Sequence, residues 1–221
     1  MSSSSLQNGI YIHLNTKLNV GSVLSMLATM TPQANSSNTP RAPRRDALRN
    51  DAIIVNAARA VFAEQGPQAS MESIASRAGL GVGTIYRRFA SKEALLDAIA
   101  QLFVEEMDQA AAAALADPDP ANGLAWFLDF VGTFNAEKRR YAASLVDRLS
   151  SNDDVSVRTA ERVRQLTQKA VDAGYLAQNV TGDDIKALIV AMRGVVAASP
   201  DGDDAPWRRF VRIHLTGLRA N

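Results

Sequence analysis

Residues Ser70–Phe89 read SMESIASRAGLGVGTIYRRF, the pattern of two short helices joined by a tight turn. Ser70 can cap a helix N-terminus, and Ile74, Ala75 and Ala78 recur behind it at helical spacing. Ala75 is small enough for two helices to cross closely. Gly79, four residues later, can take the positive φ that a turn needs. Ile74, Ala78, Leu80 and Ile85 supply apolar contacts that set the angle between the helices. The second helix opens on Val82-Gly83-Thr84, where the recognition helix of a helix-turn-helix faces base edges.

Helical periodicity continues on both sides of this hairpin. Ile54, Ala57, Ala58, Val61 and Phe62 mark a preceding helix that Gly66-Pro67 stops. Ser91 caps a following one, whose apolar side is Leu95, Leu96, Ile99, Leu102, Phe103 and Met107 before Pro118 and Pro120 close it. Trp126, Phe127, Phe130, Val131 and Phe134 form an aromatic stripe on the next. Tyr141, Leu145 and Leu149 mark another, broken at Ser151-Asn152. Val163, Leu166 and Ala170 lead to Gly174, a glycine suited to ending a helix. Thr181 caps a helix with Asp183 and Asp184 in its first turn. After Pro200–Pro206 the last helix carries Trp207, Phe210, Val211, His214, Leu215 and Leu218. Strand signals are nearly absent, so the fold class is all-α. Roughly nine helices without a repeat period make a bundle.

Composition narrows the chemistry. The 221 residues are 47% hydrophobic and 21% charged, enough to bury a core. With no cysteine there are no disulfides, thiolate metal sites or cysteine nucleophiles. Two histidines, His13 and His214, leave little for metal or acid–base chemistry, so neither a metal nor a cofactor is expected. The net charge of +1 hides a split. Residues 41–92 hold nine Lys/Arg against four Asp/Glu, a net of +5, and residues 93–221 hold fourteen against nineteen, a net of −5. A basic block on an acidic remainder suits one segment meeting an anionic polymer, although solvated faces also segregate charge.

Residues 1–45 read as a disordered basic tail, with Arg41, Arg44 and Arg45 spaced by Pro43. The stretch Leu18–Met30 is too short to span a bilayer and poor as a signal peptide. The blander expectation is an over-extended start, with the natural one at Met26 or Met30. Residues 46–92 then form the helix-turn-helix domain and residues 93–221 the second domain.

GTIYRRFASKEALL (Gly83–Leu96), preceded by AAxxxFxxxG (Ala57–Gly66) and IAxxAG (Ile74–Gly79), closely resembles the tetracycline-repressor (TetR) family of bacterial regulators. The resemblance is specific over residues 50–97 and architectural beyond them. It implies a three-helix DNA-binding domain, a larger helical domain for a small-molecule effector and dimerisation, and a cytoplasmic homodimer on a palindromic operator. Ser70 and Thr84 are placed to bond phosphates. The family pattern adds Tyr86, whose hydroxyl reaches the DNA backbone, and Lys92, a phosphate-binding lysine. Val82, Gly83 and Arg87 are the positions to meet base edges or the groove, with Arg87 able to bond guanine bidentately. Arg88 could contact phosphate or face solvent, and Arg44 and Arg45 could add contacts from the tail. Ile85 and Phe89 are assigned to the core. Glu72, repelled by phosphate, either pairs with an arginine or accepts from cytosine.

In the second domain Met107, Trp126, Phe130, Phe134 and Tyr141 are candidates to line the pocket that the resemblance implies, or are plain core. Arg148 and Arg193, among apolar neighbours, could pair with an acidic ligand or a buried carboxylate. The last two helices are apolar on more than one side, which calls for a partner; Ile189, Met192, Phe210 and His214 are the candidate dimer residues. Enzymatic readings fail on the residues present. GLGVGT lacks the Lys-Ser/Thr of a phosphate loop. The loop from Asp201 has Pro206 where a calcium loop needs glycine and Arg212 where it needs glutamate. The expected function is a ligand-responsive repressor. The alternatives are an activator, a co-repressor-dependent regulator, or a helical dimer that binds a small molecule without using its DNA domain. No membrane partner is expected.

Overall fold

The computed structural model describes residues 41–146, 148 and 154–220, with residues 41–49 and 146 described by backbone only. Residues 1–40, Leu149 and the Ser151-Asn152 break lie outside them. The described residues form nine helices. These are α1 (Arg41–Gln65), α2 (Met71–Ala78), α3 (Val82–Arg88), α4 (Lys92–Leu115), α5 (Pro120–Glu137), α6 (Arg139–Val146), α7 (Asp154–Asp172), α8 (Gly182–Ala198) and α9 (Ala205–Gly217). The all-α class is therefore as expected. The tail expectation needs a correction at its end, because α1 begins at Arg41 and takes in Arg44 and Arg45. Pro43 does not prevent this: it stands in the first turn, where a backbone N–H has no partner inside the helix anyway.

Local chemistry accounts for the helix ends. The Ser70 hydroxyl accepts from the Ser73 N–H (3.1 Å) at the start of α2, and Ser91 accepts from the Ala94 N–H (3.1 Å) at the start of α4. Asp119 accepts from Ala121 (2.9 Å), with Pro120 as the first residue of α5. At α8 the Thr181 N–H and hydroxyl both donate to Asp184 (2.8 Å each), and these hydrogen bonds hold the Asp184 carboxyl below its ordinary range. Gly79 (φ 66°) and Gly174 (φ 72°) end α2 and α7 in the left-handed conformation. In both turns the following residue donates back five positions, Leu80 to Ala75 (3.0 Å) and Tyr175 to Ala170 (2.9 Å).

The chain divides into two compact units: the described residues up to Arg59 with Ser70–Leu95, and Ala60–Ala69 with residues 96 onward. This cut lies inside α1 and α4, whereas the sequence reading divides the chain at 92/93. In the first unit α2 packs on α3, and Ile54, Val55, Ala58, Ile74, Ile85 and Leu95 are all buried without exposed surface. In the second, α5 packs against α7, α8 and α9, and α8 packs against α7 and α9. Gly132 is the seat of Trp207, whose ring lies where a Cβ would come within 2.2 Å. The chain end is pinned to the turn after α7, the Ala177 N–H donating to the Leu218 carbonyl (2.9 Å).

Three charged groups organise this second unit. Asp108 on α4 is buried and takes hydrogen bonds from Arg158 (3.0 Å) and Thr159 (3.2 Å) and an ion pair from Arg162 (2.5 Å) on α7. A buried carboxylate left without such partners is costly. Arg140 donates to the Glu64 carbonyl near the end of α1 (2.7 Å) and to Asp201 (2.6 Å), while Arg139 bonds Asp201 (3.2 Å) and the Ser199 carbonyl. The loop between α8 and α9 is thereby clasped to the start of α6. No helix among the described residues is long and apolar enough to cross a membrane.

Candidate nucleic-acid interface

The turns of α3 sort its residues onto two sides. Ile85 is fully buried and Phe89 just beyond the helix is half-buried; Gly83, Tyr86 and Arg87 lie exposed on the arc away from Ile85, and Val82, one turn before Ile85, is half-buried at the margin of that arc. Tyr86 is 47% exposed, a large ring that the fold leaves at the surface. At Gly83 an added Cβ would meet nothing within 4 Å. Arg87 folds back along the helix: its Nε donates to the Gly83 carbonyl (3.2 Å) and its Nη2 to the Thr84 hydroxyl (3.1 Å). The Thr84 hydroxyl keeps its own proton for another acceptor.

The other expected contact residues stand at the starts of α2, α4 and α1. Ser70 is exposed at the start of α2, with its hydroxyl also sharing a hydrogen bond with that of Ser73 (3.2 Å). Lys92 is the first residue of α4, beside the capping Ser91. Glu72 is exposed on the first turn of α2. Arg44 and Arg45 lie on the first turn and a half of α1, and their side chains fall outside the described residues.

Arg88 behaves differently from its neighbour. It belongs to the inner side of α3, where its Nε donates to Asp51 Oδ1 (2.6 Å) and its Nη2 to Asp51 Oδ2. The hydrogen bonds to Asp51 raise the guanidinium above its ordinary pKa. Neither option read from the sequence, phosphate or solvent, names this partner. Asp51, buried on α1, was not among the expected site residues. Nothing in the sequence joins residues 37 positions apart, and only the fold brings them together.

Two parts of the chain match family models. Residues 54–99 match the bacterial regulatory proteins of the tetR family, and residues 119–220 match the C-terminal domain of SbtR-like transcriptional regulators. A TetR transcription regulatory protein from Mycobacterium vanbaalenii is 31% identical over 80% of this chain and 99% of its own, with a TM-score of 0.58. The chain belongs to the TetR family. A TetR transcriptional regulator from Streptomyces coelicolor is 27% identical over 77% of this chain and 99% of its own, at a TM-score of 0.60. A TetR-family regulator from Agrobacterium tumefaciens, 16% identical, shares the fold at a TM-score of 0.62, over 79% and 100% of the two chains. Among curated proteins none matches significantly. As a TetR-family transcriptional regulator the protein carries a DNA-binding helix-turn-helix, and such regulators typically respond to ligands and are not enzymes.

The candidate effector residues are only partly gathered. Trp126, Phe130 and Phe134 form a ladder along α5, with centroids 5.5 and 5.7 Å apart, and Phe103 of α4 extends it at 4.9 Å from Phe134. Met107 is half-buried one turn beyond Phe103. The buried Lys138 ammonium sits 3.2 Å over the Phe134 ring, a cation–π contact. Phe103 and Lys138 are absent from the sequence-based set; Phe103 was visible only as one more apolar position on its helix. Tyr141 stands apart, fully buried with its ring 6.0 Å from Phe62. Arg148 pairs with Asp97 at 2.6 Å.

The candidate dimer residues also divide. Ile189 and Phe210 are half-buried against the core, and His214 is exposed, its ring 3.9 Å from that of Phe210. Met192 is corrected: it is 0% exposed within the protomer and has no surface to offer a partner. Val190 (58% exposed) and Ile213 (54%) are the apolar side chains that α8 and α9 present outward.

Proposed function

We propose that the protein is a transcriptional repressor that binds a palindromic operator as a homodimer and is released by a small-molecule inducer. The observation that carries this reading is the two-sided character of α3. Its inner side is held by the fold through the buried Ile85, while Gly83, Tyr86 and Arg87 are exposed on the outward arc with half-buried Val82 at its margin, and Arg87 bonds only its own helix. In this mechanism Ser70, Thr84, Tyr86 and Lys92 hold phosphates and set the register, and Val82, Gly83 and Arg87 meet the groove. Two such helices enter successive major grooves about 34 Å apart. Acting on the chromosome places the protein in the bacterial cytoplasm.

Val190 and Ile213, with Ile189, Phe210 and His214 beside them, support a dimer built from α8 and α9 of each protomer. The ladder of Trp126, Phe130, Phe134 and Phe103 with Met107 supports an apolar effector in the second unit. The effector shifts the population only by its different affinity for the operator-competent and released conformers.

The test is a gel-shift titration against DNA upstream of the protein's own gene, repeated across a salt series. Preference over scrambled duplex and a steep loss of affinity with salt are expected, with a slope of about −0.9 per phosphate contacted. A flat salt response, or equal binding to scrambled DNA, overturns the reading in favour of a dimer that does not use its DNA domain. Operator binding that needs an added small molecule moves it to the co-repressor class.

A further inference from the structure

The pair Arg87-Arg88 divides its labour. Arg87 lies on the outward arc of α3 and bonds only its own helix. Arg88, the last residue of α3, points the other way and places two nitrogens on the two oxygens of Asp51. The Asp51 side chain is 11% exposed and that of Arg88 40%. Asp51 shares a face of α1 with Ile54, Val55 and Ala58, all without exposed surface, and Arg88 shares a face of α3 with Ile85. The fork therefore ties the buried apolar face of α1 to the buried side of the recognition helix.

Three physical points make this pair more than a surface ion pair. A short helix such as α3, seven residues long and without a side-chain cap, has little stability of its own and takes its orientation from what holds it. A bidentate guanidinium–carboxylate pair fixes distance and angle together, which a lysine, as a point charge, does not. Asp51 is also one of only four acids in the basic block of residues 41–92. On long-range electrostatics alone, a carboxylate there weakens attraction to phosphate.

We infer that Asp51 and Arg88 are positioning residues for operator recognition: the fork braces α3 against α1 and so aims Val82, Gly83, Tyr86 and Arg87 at the groove. This inference rests on the DNA-binding reading above. It also makes that acid necessary for sequence-specific binding, against the sign of its charge.

The test uses the full chain and a duplex that the wild-type protein selects from a randomised pool, with a scrambled duplex as control. Asp51→Asn is expected to weaken binding to the selected duplex about tenfold, the worth of one well-made bidentate base contact, although it removes a negative charge from the domain. Binding to the scrambled duplex is expected to hold or tighten, so the specificity ratio falls. A residue that served only to keep the domain folded would lower both affinities together. Arg88→Lys keeps the charge and loses the fork, and it is expected to fall in the same way. Wild-type binding by Arg88→Lys would show a plain phosphate contact and overturn the inference, as would tighter or unchanged specific binding by Asp51→Asn.

Amide hydrogen exchange on the free protein supplies an arm that needs no DNA. Asp51→Asn is expected to speed exchange across Val82–Phe89 and leave residues 96–115 as they were. Unchanged exchange over α3 overturns the brace. A wild-type chain that selects no duplex overturns the DNA-binding reading instead, and the exchange experiment still decides the brace.

Discussion

At Gly83 neither packing nor backbone asks for glycine. A Cβ there would meet no atom within 4 Å, and the residue is not among the glycines at positive φ. Inside a helix glycine costs about 0.5–1 kcal/mol relative to alanine. The space it leaves is therefore useful only to something outside the protomer, and on the proposed function that is the DNA groove. Gly83→Ala is expected to stabilise the free protein by up to that amount in urea unfolding while weakening operator binding in the same preparation. Binding that improves along with stability would remove Gly83 from the interface. Its neighbours are separated by a different pair of measurements. Arg87→Ala is expected to relax sequence preference, with about 1–3 kcal/mol lost on the preferred duplex, whereas Lys92→Ala weakens all duplexes alike and lowers the salt slope by about one. That Gly83 and Arg87 lie exposed on α3 was legible, because helical spacing alone sorts residues on a short helix. The task of Arg88 was not, since two adjacent arginines look identical until the fold supplies Asp51 to one of them.

Helix ends were the most readable elements. Ser70, Ser91 and Thr181, and the glycines at 79 and 174, act through bonds to residues a few positions away, so their partners are already written beside them. What holds one element to another was not readable in this way. Trp207 reaches Gly132 from 75 residues away, and the clasp of Arg139 and Arg140 on Asp201 spans 62 and 61 residues. That clasp has a pH signature. The Arg140 hydrogen bond, with the charges of Arg140 and Arg139, holds the Asp201 carboxyl below its ordinary range of about 3.8. A depressed carboxylate contributes stability that is present above its unfolded pKa and lost as pH falls through the folded one. The thermal midpoint of the wild type is thus expected to exceed that of Asp201→Asn at neutral pH, and the difference to close only in acid below the ordinary carboxylate range. A difference that persists there, or grows, would mean that Asp201 acts through something other than its charge.

For the whole molecule, the near-zero net charge concealed a basic block of +5 and an acidic remainder of −5, and the helix-turn-helix coincides with the basic one. The second feature at this scale is the double-sided apolar character of α8 and α9. Periodicity told that two faces existed but not which was inward, because both are apolar; hence Met192 was expected outside and lies in the core, while Val190 and Ile213 were not among the candidate dimer residues. That assignment makes the proposed dimer testable with little harm to the protomer. A charge placed on exposed surface usually changes stability by less than about 0.5 kcal/mol, but the same charge buried unpaired in an interface costs several. Val190→Asp with Ile213→Asp is expected to leave the helical circular dichroism intact and to bring the solution mass from twice 23.7 kDa to 23.7 kDa. The palindromic duplex should then bind no more tightly than a half-site, since the two recognition helices no longer arrive together. Met192→Ala serves as the contrast: it opens a cavity in the protomer core and is expected to cost about 2–5 kcal/mol of stability without splitting the folded dimer. A double variant that stays at twice the chain mass would move the interface away from α8 and α9, and with it the spacing of the two recognition helices.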